Sequence, residues 1–338
     1  MTDNEPLLPK SPTESVALSQ ATVISPFLPQ AAAGSFLLQP MPDNQGIAPQ
    51  PFHNPFLPVK TFKPPFLGQT IPVEGKFYSI GGPIGDGGFG NVYACTDEWG
   101  NALAAKILVP KGQTYEQVRD SWTRELRNLL VLRHPNITYV HDAFEWQDTF
   151  YLVIERCSMT LDRIITMPTL LPEWWLPHVA RDVLQGLHYI HAQGYVHKDI
   201  HPGNVFVAQS FDRMVPEKEP VWSFKIGDLG ISRLEGEINA FNTVLAQWMM
   251  PPEALDPGQF GLIGKKTDIY HVGLLLLALL LKQMPTFSQE QVLQGVPRQL
   301  AERHPSKFGP IIAKALRRHV WDRTGTAIDF WRELRTVM

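Results

Sequence analysis

The 338-residue chain carries 30 Lys and Arg against 33 Asp and Glu, a formal charge of −3, and is 44 % hydrophobic. Such a composition supports a sizeable core and excludes a protein that binds nucleic acid through a broad cationic face. Two cysteines, Cys95 and Cys157, are too few for a disulfide framework and fit a reducing, cytoplasmic compartment. The opening Met1-Thr-Asp-Asn-Glu-Pro6 is acidic and has no apolar run, so no secretory signal is expected. Val272–Leu281, the longest apolar stretch, is about half the roughly 20 residues needed to cross a bilayer. No membrane span is expected.

Of the 30 prolines, 14 fall before residue 76. Each fixes φ and removes a backbone donor, so neither helix nor sheet can run far there. Residues 1–75 are therefore expected to form an extended, disordered tail. Within it Pro26-Phe27-Leu28, Pro55-Phe56-Leu57 and Pro65-Phe66-Leu67 repeat a phrase. It is either compositional drift in a linker or a set of docking motifs for an apolar groove, on a partner or on the folded domain itself.

From Lys76 the texture changes. Asn91–Cys95, Ala102–Leu108 and Thr149–Ile154 are strand-like runs separated by turn residues, and Tyr115–Arg133 interrupts them as a helix with a leucine face. After Cys157 helices dominate: Trp174–Gln193, Ile269–Lys282, Phe308–Arg318 and Ala327–Val337. A strand-rich part followed by a helical part predicts two lobes with a cleft between them.

Gly85-Asp-Gly87-Gly-Phe-Gly90-Asn-Val92 is a G-x-G-x-x-G-x-V loop. In a dinucleotide-binding fold the third glycine opens a helix, whereas here Asn91–Thr96 alternates like a strand. The loop is then a hairpin flap whose backbone amides can cover phosphates, or a plain glycine-rich hairpin. Lys106 lies inside an apolar strand, which is costly unless its ammonium meets an anion or snorkels to solvent. Glu125, on the helix that follows, can face it.

His197-Lys198-Asp199-Ile200-His201-Pro202-Gly203-Asn204 follows the long helix, and Asp228-Leu229-Gly230 comes after a further strand. Phosphoryl transfer needs in-line positioning and charge neutralisation by a metal that prefers oxygen ligands. Asp228 and Asn204 can supply those oxygens, and Asp199 can accept the proton of an attacking hydroxyl. Gly230 is expected to permit the backbone turn that aims Asp228. His197 and Leu229 are expected to be packing residues.

In this order the motifs resemble those of the protein kinase family, from about residue 76 to the C-terminus. Pro251-Pro252-Glu253, Asp268–Gly273, Arg323 and the Leu132–Ile137 turn extend the likeness. The resemblance implies an α+β, two-lobed fold: a small antiparallel β-sheet lobe with one helix over about 76–156, and a larger, mainly α-helical lobe over about 157–338. It implies ATP and Mg²⁺ as cofactors, with Mn²⁺ as a substitute, and Ser/Thr hydroxyls of a protein substrate as acceptors. Asp199, Lys106, Glu125 and His201 would be catalytic. Ile84, Gly85, Gly87, Gly90, Val92, Ala104, Lys106, Glu155 and Cys157 would line the nucleotide, with Ile154 as gatekeeper, and Asn204 and Asp228 would hold the metal.

Three positions depart from the family pattern. His-Lys-Asp replaces His-Arg-Asp, which takes the bidentate fork away from any phosphate held there. His201 and Ala246 replace the Lys and Thr of Ser/Thr kinases, a paired change that suggests a rearranged site. Ser232 and Thr243 are the hydroxyl candidates between Asp228 and Glu253, and Ala208–Pro220 reads as an inserted hairpin or loop. Asp-Ile-His-Pro-Gly-Asn is also similar to the loop of small-molecule phosphotransferases such as aminoglycoside kinases, which gives one rival reading. An ATP-binding pseudokinase scaffold is another.

Overall fold

The structure, a computed structural model, describes residues 60–87, 90–210, 214, 220–238 and 249–338. The first part is a six-stranded antiparallel sheet in the order β1-β2-β3-β4-β6-β5. Its strands are β1 (Thr70–Val73), β2 (Lys76–Gly87), β3 (Gly90–Asp97), β4 (Ala102–Ile107), β5 (Val140–Trp146) and β6 (Thr149–Glu155). Helix α1 (Tyr115–Val131) crosses between β4 and β5, opened by a Thr114 capping box with Gln117.

Structure before residue 76 exceeds what the proline content suggests. Thr70–Val73 pairs with Lys76–Ser79, so the expected tail does not reach residue 75. Upstream, Lys63 exchanges backbone hydrogen bonds with the Thr149 hydroxyl at 3.0 and 3.1 Å, and Lys60 pairs with Asp148 at 2.8 Å. Side-chain partners on the β5–β6 hairpin replace the ladder that proline denies. Of the three Pro-Phe-Leu phrases, the first two lie outside the described residues. The third buries Pro65 and exposes Phe66 and Leu67.

The pleat divides the sheet between two cores. Leu103, Ala105 and Ile107 of β4 and Tyr151 and Val153 of β6 join Ile71, Tyr78 and Ile80 on one face. Phe150 and Leu152, one residue out of phase, join the larger core with Val118 and Leu129 of α1. Ala104 and Lys106 therefore point to the α1 side, on the same face as Leu152.

The larger core belongs to the helices. The second part runs β7 (Met159–Thr160), α2 (Leu161–Ile165), α3 (Pro172–Ala192), β8 (Tyr195–Val196), β9 (Val205–Ser210), β10 (Val221–Ile226) and β11 (Arg233–Leu234). It continues through α4 (Pro252–Leu255), α5 (Pro257–Phe260), α6 (Lys265–Leu281), α7 (Gln289–Leu293), α8 (Val296–Arg303), α9 (Gly309–Ala315) and α10 (Ala327–Arg335). From Thr267 to Leu280 every residue of α6 is buried, as a helix apolar on all sides must be. The expected insertion is the β9–β10 hairpin, with Ser210 opposite Val221.

Asn136 ties the two parts together. Its carbonyl accepts from Ile226 N at 2.8 Å, and its side-chain amide donates to Phe224 O at 3.0 Å. Gly186 of α3 packs under it so closely that a Cβ would lie 2.7 Å from the Asn136 carbonyl oxygen. Any side chain at 186 would push the 132–137 turn off β10.

Candidate active site

Cross-strand register assembles the first wall. Gly85 lies opposite Val92, Val92 opposite Lys106, and Lys106 opposite Leu152; the next row sets Ala104 opposite Ile154. Gly85, Val92, Ala104 and Lys106 thus share one patch of sheet. Gly87 pairs with Gly90 at the flap's end, and residues 88–89 lie outside the described chain. Ile84 and Gly85 border an open cleft of about 580 Å³, with Arg163 of α2 across it.

Lys106 is buried, and its ammonium lies 2.6 Å from Glu125 Oε1 and 2.9 Å from Asp228 Oδ1. It does not snorkel. Burial pulls the Lys106 pKa down, but the Asp228 and Glu125 carboxylates outweigh it and hold the ammonium above its ordinary value. Burial also raises Glu125, and the neighbouring Asp228 charge adds to the rise against the pull of Lys106. Asp228 goes the other way: desolvation would raise it, but the Lys106 charge and hydrogen bond dominate and lower it.

Asp228 itself takes the left-handed conformation, φ 56°. The expectation that Gly230 supplies the turn is therefore corrected. Gly230 instead leaves room, since a Cβ there would stand 3.3 Å from both Asp228 Oδ1 and Glu125 Oε2. On the other side, a Cβ on Gly227 would come within 2.5 Å of the Phe206 ring. Asn128 of α1 closes the arrangement by donating to Leu229 O at 2.8 Å and Ser232 O at 3.2 Å.

The 197–204 loop hangs from Asp268, on the first turn of α6. Asp268 is fully buried and accepts from His197 N and Lys198 N, both at 2.8 Å, with His191 Nε2 2.8 Å from the same carboxylate. These contacts hold Lys198 at φ 70°. Burial disfavours the charged form of Asp268, but His191 and the donated backbone bonds win and keep it below its ordinary pKa. His197, wholly buried, bridges Gly227 O at 3.1 Å and Asp199 N at 3.2 Å. Beyond packing, it links the two loops.

Asn204 donates its side-chain amide to Asp199 O at 3.0 Å. Asn204 O accepts from Gly227 N at 2.9 Å, so Asn204 is one residue removed from Asp228 through the backbone. His201 Nδ1 accepts from Gly203 N at 3.1 Å, leaving the proton on Nε2, 3.5 Å from Asp199 Oδ1. Burial lowers the His201 pKa against the opposing Asp199 charge, so the ring is neutral at pH 7 rather than a replacement cation. Among the described residues no group of three or more His, Cys, Asp and Glu side chains could hold a metal alone.

The Glu155 side chain is tied to Lys225 of β10. Both its oxygens take Lys225 Nζ, at 3.0 and 2.8 Å. Burial pushes the neighbouring Cys157 thiol up to about 12. Lys225 was not singled out by the sequence; its only signal was a charge on an otherwise apolar strand. A second unread feature is cationic: burial, Arg233 and Arg124 push Lys198 down to about 8 despite Asp268. Ser232 is buried with its hydroxyl 3.4 Å from His197 O, while Thr243 and Ala246 lie outside the described residues.

Comparison with known proteins adds a family. A family profile described as "Protein kinase domain" matches residues 78–325. The chain is 30 % identical over 213 residues to inactive serine/threonine-protein kinase PLK5 of Mus musculus, covering 62 % of this chain and 33 % of that protein. It is 26 % identical over 218 residues to serine/threonine-protein kinase PLK2 of Rattus norvegicus, 63 % of this chain and 30 % of the relative. Serine/threonine-protein kinase PrkC of Bacillus subtilis is 28 % identical over 276 residues, 77 % of this chain and 40 % of its own length. The chain thus spans well under half of each of these relatives.

Proposed function

Since the chain belongs to the protein kinase family, we propose that it transfers the γ-phosphoryl group of ATP to Ser or Thr hydroxyls of a protein substrate. The observation that carries this reading is the buried Lys106 ammonium between Glu125 and Asp228. An ammonium fixed by two carboxylates is positioned to meet a polyphosphate without reorganising.

In this reading Lys106, oriented by Glu125, contacts the nucleotide phosphates, and the Gly85–Gly90 flap covers them. Val92, Ala104, Ile84 and the Glu155–Cys157 stretch border the adenine. Asp199 accepts the substrate hydroxyl proton, and His201 Nε2–H donates beside it. Asp228 keeps one oxygen outside its Lys106 bond, and the Asn204 amide bond to Asp199 O leaves its side-chain oxygen as an acceptor, so the pair suits a hard cation that takes its other ligands from phosphate and water. Mg²⁺, or Mn²⁺ in its place, would neutralise charge on the transferring phosphoryl group. The catalytic part would take in β1 and the 60–69 segment that the β5–β6 hairpin holds, ahead of the expected boundary at residue 76.

The test is intact-mass and peptide mass spectrometry of the protein incubated with Mg-ATP and a generic protein substrate. Phosphate on Ser or Thr in the wild type, and none with Asp199→Asn or Asp228→Asn, is the expected outcome. Turnover that appears only on low-molecular-weight hydroxyl compounds would replace this reading with that of a small-molecule phosphotransferase. Mg-ATP binding with no turnover would replace it with a pseudokinase scaffold, a reading favoured by one relative being named inactive.

A further inference from the structure

A second cavity, of about 300 Å³, lies among the helices after α6, far along the chain from the residues discussed so far. Arg298 of α8 and Arg317, Arg318 and His319 of the segment after α9 line it. One acid, Asp322, shares the wall, 3.7 Å from His319 Nδ1. Three arginines line the cavity with one acid, and one further acid, Glu302, pairs with Arg298, so a surplus of positive charge remains in a chain whose overall balance is negative.

Arg317 and Arg318 are held in place without being neutralised. Arg318 donates to Leu293 O at 2.7 Å and stacks over Phe260, its carbon centre 5.7 Å from the ring. Arg317 donates to Asp322 O at 3.1 Å. Among the described residues neither forms an ion pair, and each bond uses one of the five donors a guanidinium carries. Arg298 reaches Glu302 at 3.2 Å, an exposed pair that contributes little. The loop beneath is rigid, because buried Arg323 donates to Arg317 O at 2.7 Å and Arg318 O at 3.0 Å while paired with Glu253. Gly295, at φ 76°, lets the chain turn against the Arg318 side chain.

Beside the arginines is an apolar shelf. Trp321 stacks on His319, ring centroids 5.0 Å apart, and is 62 % exposed. Leu262 follows Gly261, which packs on Val320 and Trp321, and is 61 % exposed. Paired arginines offer parallel N–H groups to a tetrahedral dianion, and an aromatic shelf next to them offers a seat for an adjoining side chain. An extended polyanion or a membrane surface would need a broad cationic face, whereas these arginines gather around one cavity of about 300 Å³.

We propose that this cavity is a docking site for a phosphorylated Ser or Thr on a partner protein, with an apolar residue of the partner lying on Trp321 and Leu262. It is separate from the nucleotide cleft and does not depend on the chain's being an active kinase.

The test titrates the full-length protein into three fluorescein-labelled peptides that differ at one position, phosphoserine, serine or glutamate, each followed by leucine. Anisotropy should report at least tenfold tighter binding of the phosphoserine peptide. Arg317→Gln/Arg318→Gln should abolish that preference. Because Arg318 also caps a helix end, Arg317→Gln alone is the second variant; it should weaken binding several-fold with an unchanged melting temperature. A folded double variant that keeps the preference would overturn the proposal. Equal binding of the serine or glutamate peptide, or competition by inorganic phosphate at the peptide's own concentration, would overturn it as well.

Discussion

The Lys106 ammonium lies 2.6 Å from the Glu125 carboxylate, with both side chains closed off from solvent. That contact spans a strand and a helix, and with Asp228 at 2.9 Å it also joins the sheet to the helical part. Removing the cation leaves two carboxylates buried together. Lys106→Met is expected to abolish phosphoryl transfer and to cost about 3–5 kcal/mol at pH 7. Without the ammonium the folded carboxylate pKa values rise above their unfolded values, so the loss shrinks as pH falls towards 5. Urea unfolding at pH 7.5 and pH 5 checks both parts; an equal loss at the two values contradicts the assignment.

Lys198 predicts a stability slope at alkaline pH. Its unfolded pKa of 10.5 falls to about 8 in the fold. Below pH 8 both states hold the proton and the cost of burying the ammonium is complete. Between 8 and 10.5 the unfolded chain binds more protons, so stability rises with pH, and above 10.5 the penalty is gone. Lys198→Met should therefore be more stable than the wild type at pH 7, with the gap closing towards pH 10. Parallel melting curves across that range would refute this.

Arg323 and Glu253 form a bidentate pair at 2.7 and 2.6 Å, both wholly buried. Arg323→Met should cost about 3–5 kcal/mol, mostly from the stranded carboxylate. The double variant Arg323→Met/Glu253→Gln should recover part of that loss. Chemical denaturation of the three proteins decides it, and strict additivity would count against the explanation.

Neutral His201 predicts a flat profile where a cation would titrate. Its pKa lies below the ordinary 6.5, so no proton is lost between pH 7 and 8. Under the proposed mechanism kcat should hold steady over that interval, and His201→Ala should lower it roughly 10–100-fold with little change in KM for ATP. A fall in wild-type kcat from pH 7 to 8 would mean that an imidazolium is the active form.

Asp268 should be among the least replaceable residues. Its two oxygens take two backbone N–H groups and a histidine. Asp268→Ala strands those donors at about 1–3 kcal/mol each and frees the left-handed Lys198. Asp268→Asn offers a single acceptor oxygen and should fall between the two in thermal melts.

The motifs from Gly85 to Asp228, taken in order, carried the resemblance that implied the fold class, and each suggested site residues through its own local chemistry: glycines for a hairpin, a lysine out of place in an apolar strand, carboxylates bracketing a long helix. Which face of β4 carries Lys106 was not legible, because Ala102–Ile107 is apolar on both faces, and only the split between the two cores decided it. The placement of Lys60–Lys63 was hidden, since these residues are held by the side chains of Asp148 and Thr149 some 86 residues on, and proline density says nothing of distant partners. Tertiary packing alone placed the left-handed turn on Asp228 rather than on a glycine, since Asn128, Lys106 and Gly230 together over-determine that conformation. It also gathered Arg298, Arg317 and Arg318, apart in sequence, around one cavity, because charge patterning along a chain does not report which side chains the fold turns toward each other.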